Sequence, residues 1–272
     1  MKRIAIIFAL IAPFLLSAQQ PVMQRLGDWL SDTTRLDGSM QGMAVSLPYA
    51  VALRHGGQCL ILDMESHQCT GHYQLAANRT HCNNASFSAQ RLGSDDPFPL
   101  LYVSSCYGDK CCYVYRITAD SAQLLQRIFY DSPSFPVAQD WCLDADSGHL
   151  YAFGGRRGGM MYLKRFRLPD IALPEVHLTD SDLLATIPVG CVKVAQGSKI
   201  KDGRAYLPDG NEPGGYCLHI LDLATATEVR TIDLNSINCE PEGIDIADGY
   251  IYISFHTPDP KDNTIYRFPL QP

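Results

Sequence analysis

Apolar residues in this chain come in short runs, alternating with polar ones or rich in β-branched side chains, and each run is closed by turn residues such as Gly, Pro, Asn or Asp. That pattern predicts strands and an all-β chain. The runs also recur as a unit. An apolar strand-like segment, a Gly-rich turn, an aromatic-rich strand and a third alternating strand follow one another five times, opening at Gln41, Asn83, Gln139, Val189 and Pro241. Their registered positions, Gly42, Asn84, Asp140, Gly190 and Gly243, lie roughly fifty residues apart, which predicts a five-bladed β-propeller of four-stranded antiparallel blades.

The expected strands of blade one are Met43 to Leu47, Tyr49 to Leu53, Cys59 to Met64 and Gly71 to Leu75. Blade two takes Ala85 to Arg91, Leu100 to Ser104, Cys112 to Ile117 and Ala122 to Phe129, and blade three Trp141 to Ala145, Leu150 to Phe153, Met160 to Arg167 and Glu175 to Leu178. Blade four takes Cys191 to Ala195, Arg204 to Leu207, Tyr216 to Leu223 and Glu228 to Leu234. Blade five has only Gly243 to Ile246, Tyr250 to Phe255 and Thr264 to Leu270 before the chain stops. An unfilled blade would leave an open sheet edge, so the missing outer strand is expected from the N-terminal segment around Val22 to Leu30.

Strand counting puts the openings of the blades and the loops between second and third strands on one face, where the inner strands ring the channel mouth. Gln41, His81, Asn83, Asn84, Asp140, Glu240 and Glu242 are therefore the candidate ligand-binding residues. Polar groups there can equally satisfy backbone edges and ordered water in a wet channel. Blade four, opening at Pro188-Val189-Gly190-Cys191, offers the mouth no carboxylate or amide in this reading.

The segments Gln41-Gly42-Met43-Ala44, His81-Cys82-Asn83-Asn84-Ala85-Ser86-Phe87 and Glu240-Pro241-Glu242-Gly243-Ile244 resemble those of small secreted five-bladed propellers of the teichoic-acid-biosynthesis-protein-C-like kind. The resemblance implies the fold and export, and leaves the chemistry open.

Composition narrows the rest. The 272 residues are 46% hydrophobic and carry a net charge of −7, enough for a sizeable core and without a basic field for nucleic acid or an anionic membrane. Lys2 and Arg3, the apolar run Ile4 to Leu16 and the small residues Ser17 and Ala18 read as a signal peptide over residues 1–18, leaving 19–272 as one exported domain in the periplasm or outside the cell. That run is shorter than the roughly 20 residues of a membrane-spanning helix, so no integral span is expected. The ten cysteines, an even number in an exported chain, predict disulfides. Cys59 with Cys69 comes first and Cys106 with Cys111 or Cys112 next. Zinc thiolate sites usually announce themselves by Cys-x-x-Cys pairs, which the chain lacks.

The expected function is binding of a small molecule, glycan or peptide of the cell envelope at the channel mouth. The alternative is a glycan hydrolase with Asp140 and Glu242 as its acid and base. Asp140, Glu242, Glu240 and Asn83 are also the oxygen donors available to a divalent cation such as calcium. The serine-hydrolase elbow, the zinc-protease helix motif and the phosphate loop are absent from the sequence. Arg156 and Arg157, between two Gly pairs, read as an anion clamp or a solvated hairpin tip.

Overall fold

A computed structural model describes residues 20–26, 38–77, 81–118, 121–135, 138–155, 159–257 and 264–270. The expected signal peptide and the Arg156–Arg157 tip lie outside these. Five small sheets stand around one axis. Blade one comprises β2 (Met40–Ser46), β3 (Tyr49–Arg54), β4 (Gln58–Asp63) and β5 (Gln68–Gln74) from the axis outward. Blade two has β6 (Ala85–Phe87), β7 (Leu101–Ser104), β8 (Cys112–Ile117) and β9 (Ala122–Tyr130). Blade three has β10 (Ala138–Asp144), β11 (His149–Gly155), β12 (Met161–Arg167) and β14 (Ala185–Val189). Blade four has β15 (Lys199–Lys201), β16 (Arg204–Asp209), β17 (Cys217–Asp222) and β18 (Thr227–Asp233). Blade five has β19 (Glu240–Ala247), β20 (Tyr250–His256) and β21 (Thr264–Pro269), completed by β1 (Gln24–Leu26).

The inner and middle strands, such as β3, β4 and β7, are apolar on both faces because each blade is packed between two others, whereas outer strands such as β5 and β18 are largely exposed. Five separate cores result, one per gap. Val51, Leu53 and Ile61 of blade one meet Phe87, Val103 and Tyr115 of blade two. Tyr102 and Val114 meet Trp141 and Phe166 between blades two and three. Phe153 and Leu163 meet Ala205 and Leu207 in the next gap. Leu218 and Ile220 meet Ile253 and Phe255 between blades four and five. The last gap joins Leu26, Tyr252 and Ile265 to Met43, Ala52 and Leu60.

That last core contains the closure. Gln24, Arg25 and Leu26 pair antiparallel with Arg267, Tyr266 and Ile265, so the N-terminal strand does supply the fourth strand of blade five. The part of the expected strand beyond Leu26 lies outside the described residues.

Two strand assignments from the sequence are corrected. Glu175–Leu178 is not the outer strand of blade three. As β13 it pairs in parallel with Arg127–Tyr130 of β9, a fifth strand on blade two, and Val176 and Leu178 pack into the blade two–three core. The outer strand of blade three is β14, whose Pro188 is tolerated because an outermost strand has one unpaired edge. The inner strand of blade four is Lys199–Lys201 and not Cys191–Ala195. The earlier segment is a loop pinned by Asp209, whose carboxylate accepts from the N–H groups of Lys193 and Val194 at 3.1 and 2.6 Å.

The disulfide expectation is also corrected. No disulfide links any of the ten cysteines, all of which lie among the described residues. The register sets Cys59 opposite Tyr73 and Cys69 opposite Leu62. Cys59 belongs to the blade one–two core, whereas Cys69 packs against the blade five–one core, so the two side chains occupy opposite faces of the sheet. Cys111 and Cys112 likewise face different cores.

If β1 closes the ring, truncating its buried Leu26 should be costly. Leu26→Ala should lower unfolding stability by about 2–5 kcal/mol, the usual cost of emptying a buried leucine site. Denaturant unfolding checks this, and a loss of only a few tenths would show that the ring stands without β1.

Candidate functional site

The inner strands approach so closely near the top of the axis that backbone touches backbone. A Cβ on Gly243 would lie 2.3 Å from the Met43 nitrogen, and one on Gly42 would lie 2.7 Å from the Asn84 carbonyl carbon. Glycine is required at both places by proximity alone. Beside them the register shifts between Met40 and Met43, between Ala138 and Asp140, and between Pro241 and Ile244. The first and last of these bulges carry Gln41 and Glu242, and a bulge re-aims the side chains it carries.

The result is a ring of buried polar side chains from all five blades. Asn83 Nδ2 of blade two donates to Asp140 Oδ1 of blade three at 2.5 Å. Asn84 Nδ2 reaches Trp141 O at 3.1 Å and, in blade four, Ser198 O at 2.8 Å. Gln196 Nε2 donates to Glu240 Oε1 at 2.6 Å, joining blade four to blade five. The Ser254 hydroxyl donates to Gln41 O and accepts from Gly243 N, both at 2.9 Å, joining blade five to blade one.

Burial dominates the electrostatics. Asp140 is fully buried, and its carboxyl is pushed from 3.8 up to about 7 by desolvation, against the opposing bonds from Asn83 and the Gly197 N–H. Burial also holds Glu242 well above the usual carboxylate range, helped by the charges of Glu240 and Asp140 and opposed by a hydrogen bond from Gln41. Glu240, half-buried, is raised by desolvation and lowered by Gln196. Gln41 Oε1, Asn84 Oδ1, Asp140 Oδ2 and Glu242 Oε2 are buried without a hydrogen-bond partner. The ring's unmet capacity is thus on oxygens.

Most of the sequence-derived residues converge here: Gln41, Asn83, Asn84, Asp140, Glu240 and Glu242. His81 stands to one side. Its Nδ1 lies 3.1 Å from His55 Nδ1 and its ring meets Tyr107 edge-on, at 4.8 Å between centroids. Burial and the neighbouring His55 push its pKa down to about 4. A hydrogen bond with Asn83 links it to the ring.

Gln196 is the member that sequence reasoning missed, and it corrects the expectation that blade four offers no amide. The signal was present. Gln196-Gly197 repeats Gln41-Gly42 and parallels Glu242-Gly243, but the alternation over Cys191–Ala195 placed the start of the inner strand too early. At the opposite mouth the ring's counterpart is ionic. Lys199 Nζ lies 2.6 Å from Asp245 Oδ1, while Asp245 Oδ2 accepts from Val45 N at 2.6 Å.

The molecule is therefore a five-bladed β-propeller with a buried acid-and-amide ring at one end of its axis. No protein-family model matches the chain, and no curated protein matches it in sequence. Among solved structures it resembles the glutaminyl cyclase of Myxococcus xanthus, with a TM-score of 0.56 and 13% identity over 93% of this chain and 97% of that one. A chain of a nidogen/laminin complex aligns with a TM-score of 0.44 and 12% identity over 73% of this chain and 65% of that one. At such identities the likeness to the cyclase is one of fold.

Asp140 keeps its proton to about pH 7 when folded but only to about 3.8 when unfolded, so the folded state binds more protons across that window. Stability should fall as pH rises through it, by about 2–3 kcal/mol between pH 5 and 7 from this group. Asp140→Asn should flatten that slope in unfolding curves taken at several pH values. An unchanged slope would mean that Asp140 is ionised in the folded protein.

Proposed function

We propose that this is an exported envelope protein that binds the amine-bearing end of a peptide at the ring, with Asp140 and Glu242 as its anchors. The observation that carries the reading is the pair of buried carboxyls from blades three and five, each with one unpartnered oxygen. Keeping two carboxyls out of water disfavours their charged forms, and an ammonium placed between them favours ionisation of both. The unpartnered oxygens of Gln41 and Asn84 supply further acceptors for its N–H groups. A glycan offers hydroxyl donors but no charge, so it gains less from the acids. Calcium is the competing cation, and the same oxygens are its donor set. Residues 1–18 as a removed signal peptide, and kinship with the teichoic-acid-biosynthesis-protein-C-like propellers, belong to this reading.

A second reading is favoured by one feature. A carboxyl whose pKa lies near 7 is suited to general acid and base work, and Asp140 is placed beside a second raised acid. The likeness in fold to a glutaminyl cyclase adds that a propeller of this build can hold an enzyme. In this second reading Asp140 and Glu242 act on the peptide end that they bind.

Thermal shift with short peptides, the same peptides acetylated at the N-terminus, oligosaccharides and calcium separates these outcomes. Free-amine peptides should raise the Tm and acetylated ones should not. Glu242→Gln should weaken the shift at least tenfold in peptide concentration while leaving the fold intact. Stabilisation by calcium alone, or by acetylated and free peptides alike, would contradict the amine reading. Mass change in a recovered peptide would decide for the enzyme.

A further inference from the structure

We propose that Asp209, Cys217 and His219 form a binding site for one divalent transition-metal ion of the zinc class, at the top edge of blade four facing blade three. Three features of chain geometry assemble it. The loop from Gly210 to Tyr216 folds back so tightly that a Cβ on Gly210 would lie 2.4 Å from Gly215 O, at a φ of +104°. The strands it joins therefore meet in register, with Asp209 directly opposite Cys217. Cys217 and His219 are two apart on β17, so the strand period puts both on the face that carries Asp209.

The distances fit a shared ion. Cys217 Sγ lies 3.3 Å from His219 Nε2, and Asp209 Oδ2 lies 3.3 Å from the same nitrogen. All three donor atoms fall within 4.8 Å of one another. Zinc bonds of about 2.0–2.3 Å in tetrahedral geometry separate ligand atoms by roughly 3.3–3.6 Å. A thiolate, an imidazole and a carboxylate together suit zinc or a similar borderline ion better than calcium or magnesium.

The surroundings orient the donors. Asp209 is held by the Lys193 and Val194 N–H groups. His219 Nδ1 lies 2.5 Å from Glu228 Oε1, a direct hydrogen bond too short to span an ion. Glu228 is thus the outer carboxylate that commonly fixes a ligating histidine, and Thr231 Oγ1 in turn donates to it at 2.5 Å. Cys191 brings a second sulfur within 4.8 Å of His219 and Glu228. Asp209, Cys217 and His219 also line an open cleft of about 630 Å³, which gives the ion a route in and leaves room for a fourth ligand from solvent. The site shares no ligand residue with the axial ring, although Gln196 of the ring donates to Gly210 O beside Asp209.

Cobalt, as a spectroscopic stand-in for zinc, added alone to the reduced protein should bind at one ion per chain and give a sulfur-to-cobalt charge-transfer band. Cys217→Ser should abolish the band and Cys191→Ser should keep it. Glu228→Gln should weaken binding about 10- to 100-fold with the band still present. In the unaltered protein, zinc alone should slow alkylation of Cys217 at least tenfold in peptide mass spectra, a readout independent of whether any variant folds. Absence of the band from the unaltered protein, its survival in Cys217→Ser, its loss in Cys191→Ser, or equal alkylation of Cys217 with and without zinc would each overturn the proposal.

Discussion

Contact of backbone with backbone around the axis is the constraint on which the other features depend. Five sheets packed face to face leave little width at their inner strands, and Gly42 and Gly243 meet there with no space for a methyl group. Side chains next to these glycines cannot fill the axis at that level. The bulges that carry Gln41 and Glu242 turn those side chains out of the regular strand alternation beside the glycines. Both belong to the acid-and-amide ring, and its burial follows from the same narrowness.

Burial then sets the chemistry. Two carboxyls in water would be ionised at neutral pH and would repel each other; inside the ring they are driven toward their neutral forms. The amide groups of Asn83 and Gln41 only partly offset this, because each donates to one carboxyl and leaves a second oxygen unmet. At the far end of the axis Asp245 meets the ammonium of Lys199. Among the described residues no lysine or arginine plays that part for Asp140 or Glu242, and a cationic ligand supplies what the protein does not.

The architecture was legible in the sequence because it depends on period. Strands packed on both faces must be short, apolar and bounded by turns, and five such units give five blades whatever their exact edges. Closure by the N-terminal strand was legible for a related reason, since a three-stranded final blade has an unmet edge. The sequence reading takes Glu175–Leu178, the first strand-like run after β12, as the edge of blade three and passes over Ala185–Val189; the two runs differ in the cores into which Val176 and Ile187 pack, which period alone does not show. In blade four the apolar alternation of Cys191–Ala195 outweighed the Gln-Gly pair that marks the true start of the inner strand. The cysteine reading failed because even number and proximity in sequence say nothing about which face of a sheet a side chain occupies. The Asp209, Cys217 and His219 cluster was hidden because its spacing follows the two-residue period of a strand and a cross-strand pair, not the Cys-x-x-Cys spacing by which such sites are usually noticed.

The central claim is that burial keeps the acids of the ring protonated and ready to be ionised by a bound cation. Nuclear magnetic resonance of the carboxyl carbons, with Asp140→Asn assigning the signal, tests it directly. Asp140 should titrate with a midpoint near 7 in the ligand-free protein, and the midpoint should move down when an amine-bearing peptide is added. A midpoint near the ordinary aspartate value of about 3.8 in the ligand-free protein would contradict the account.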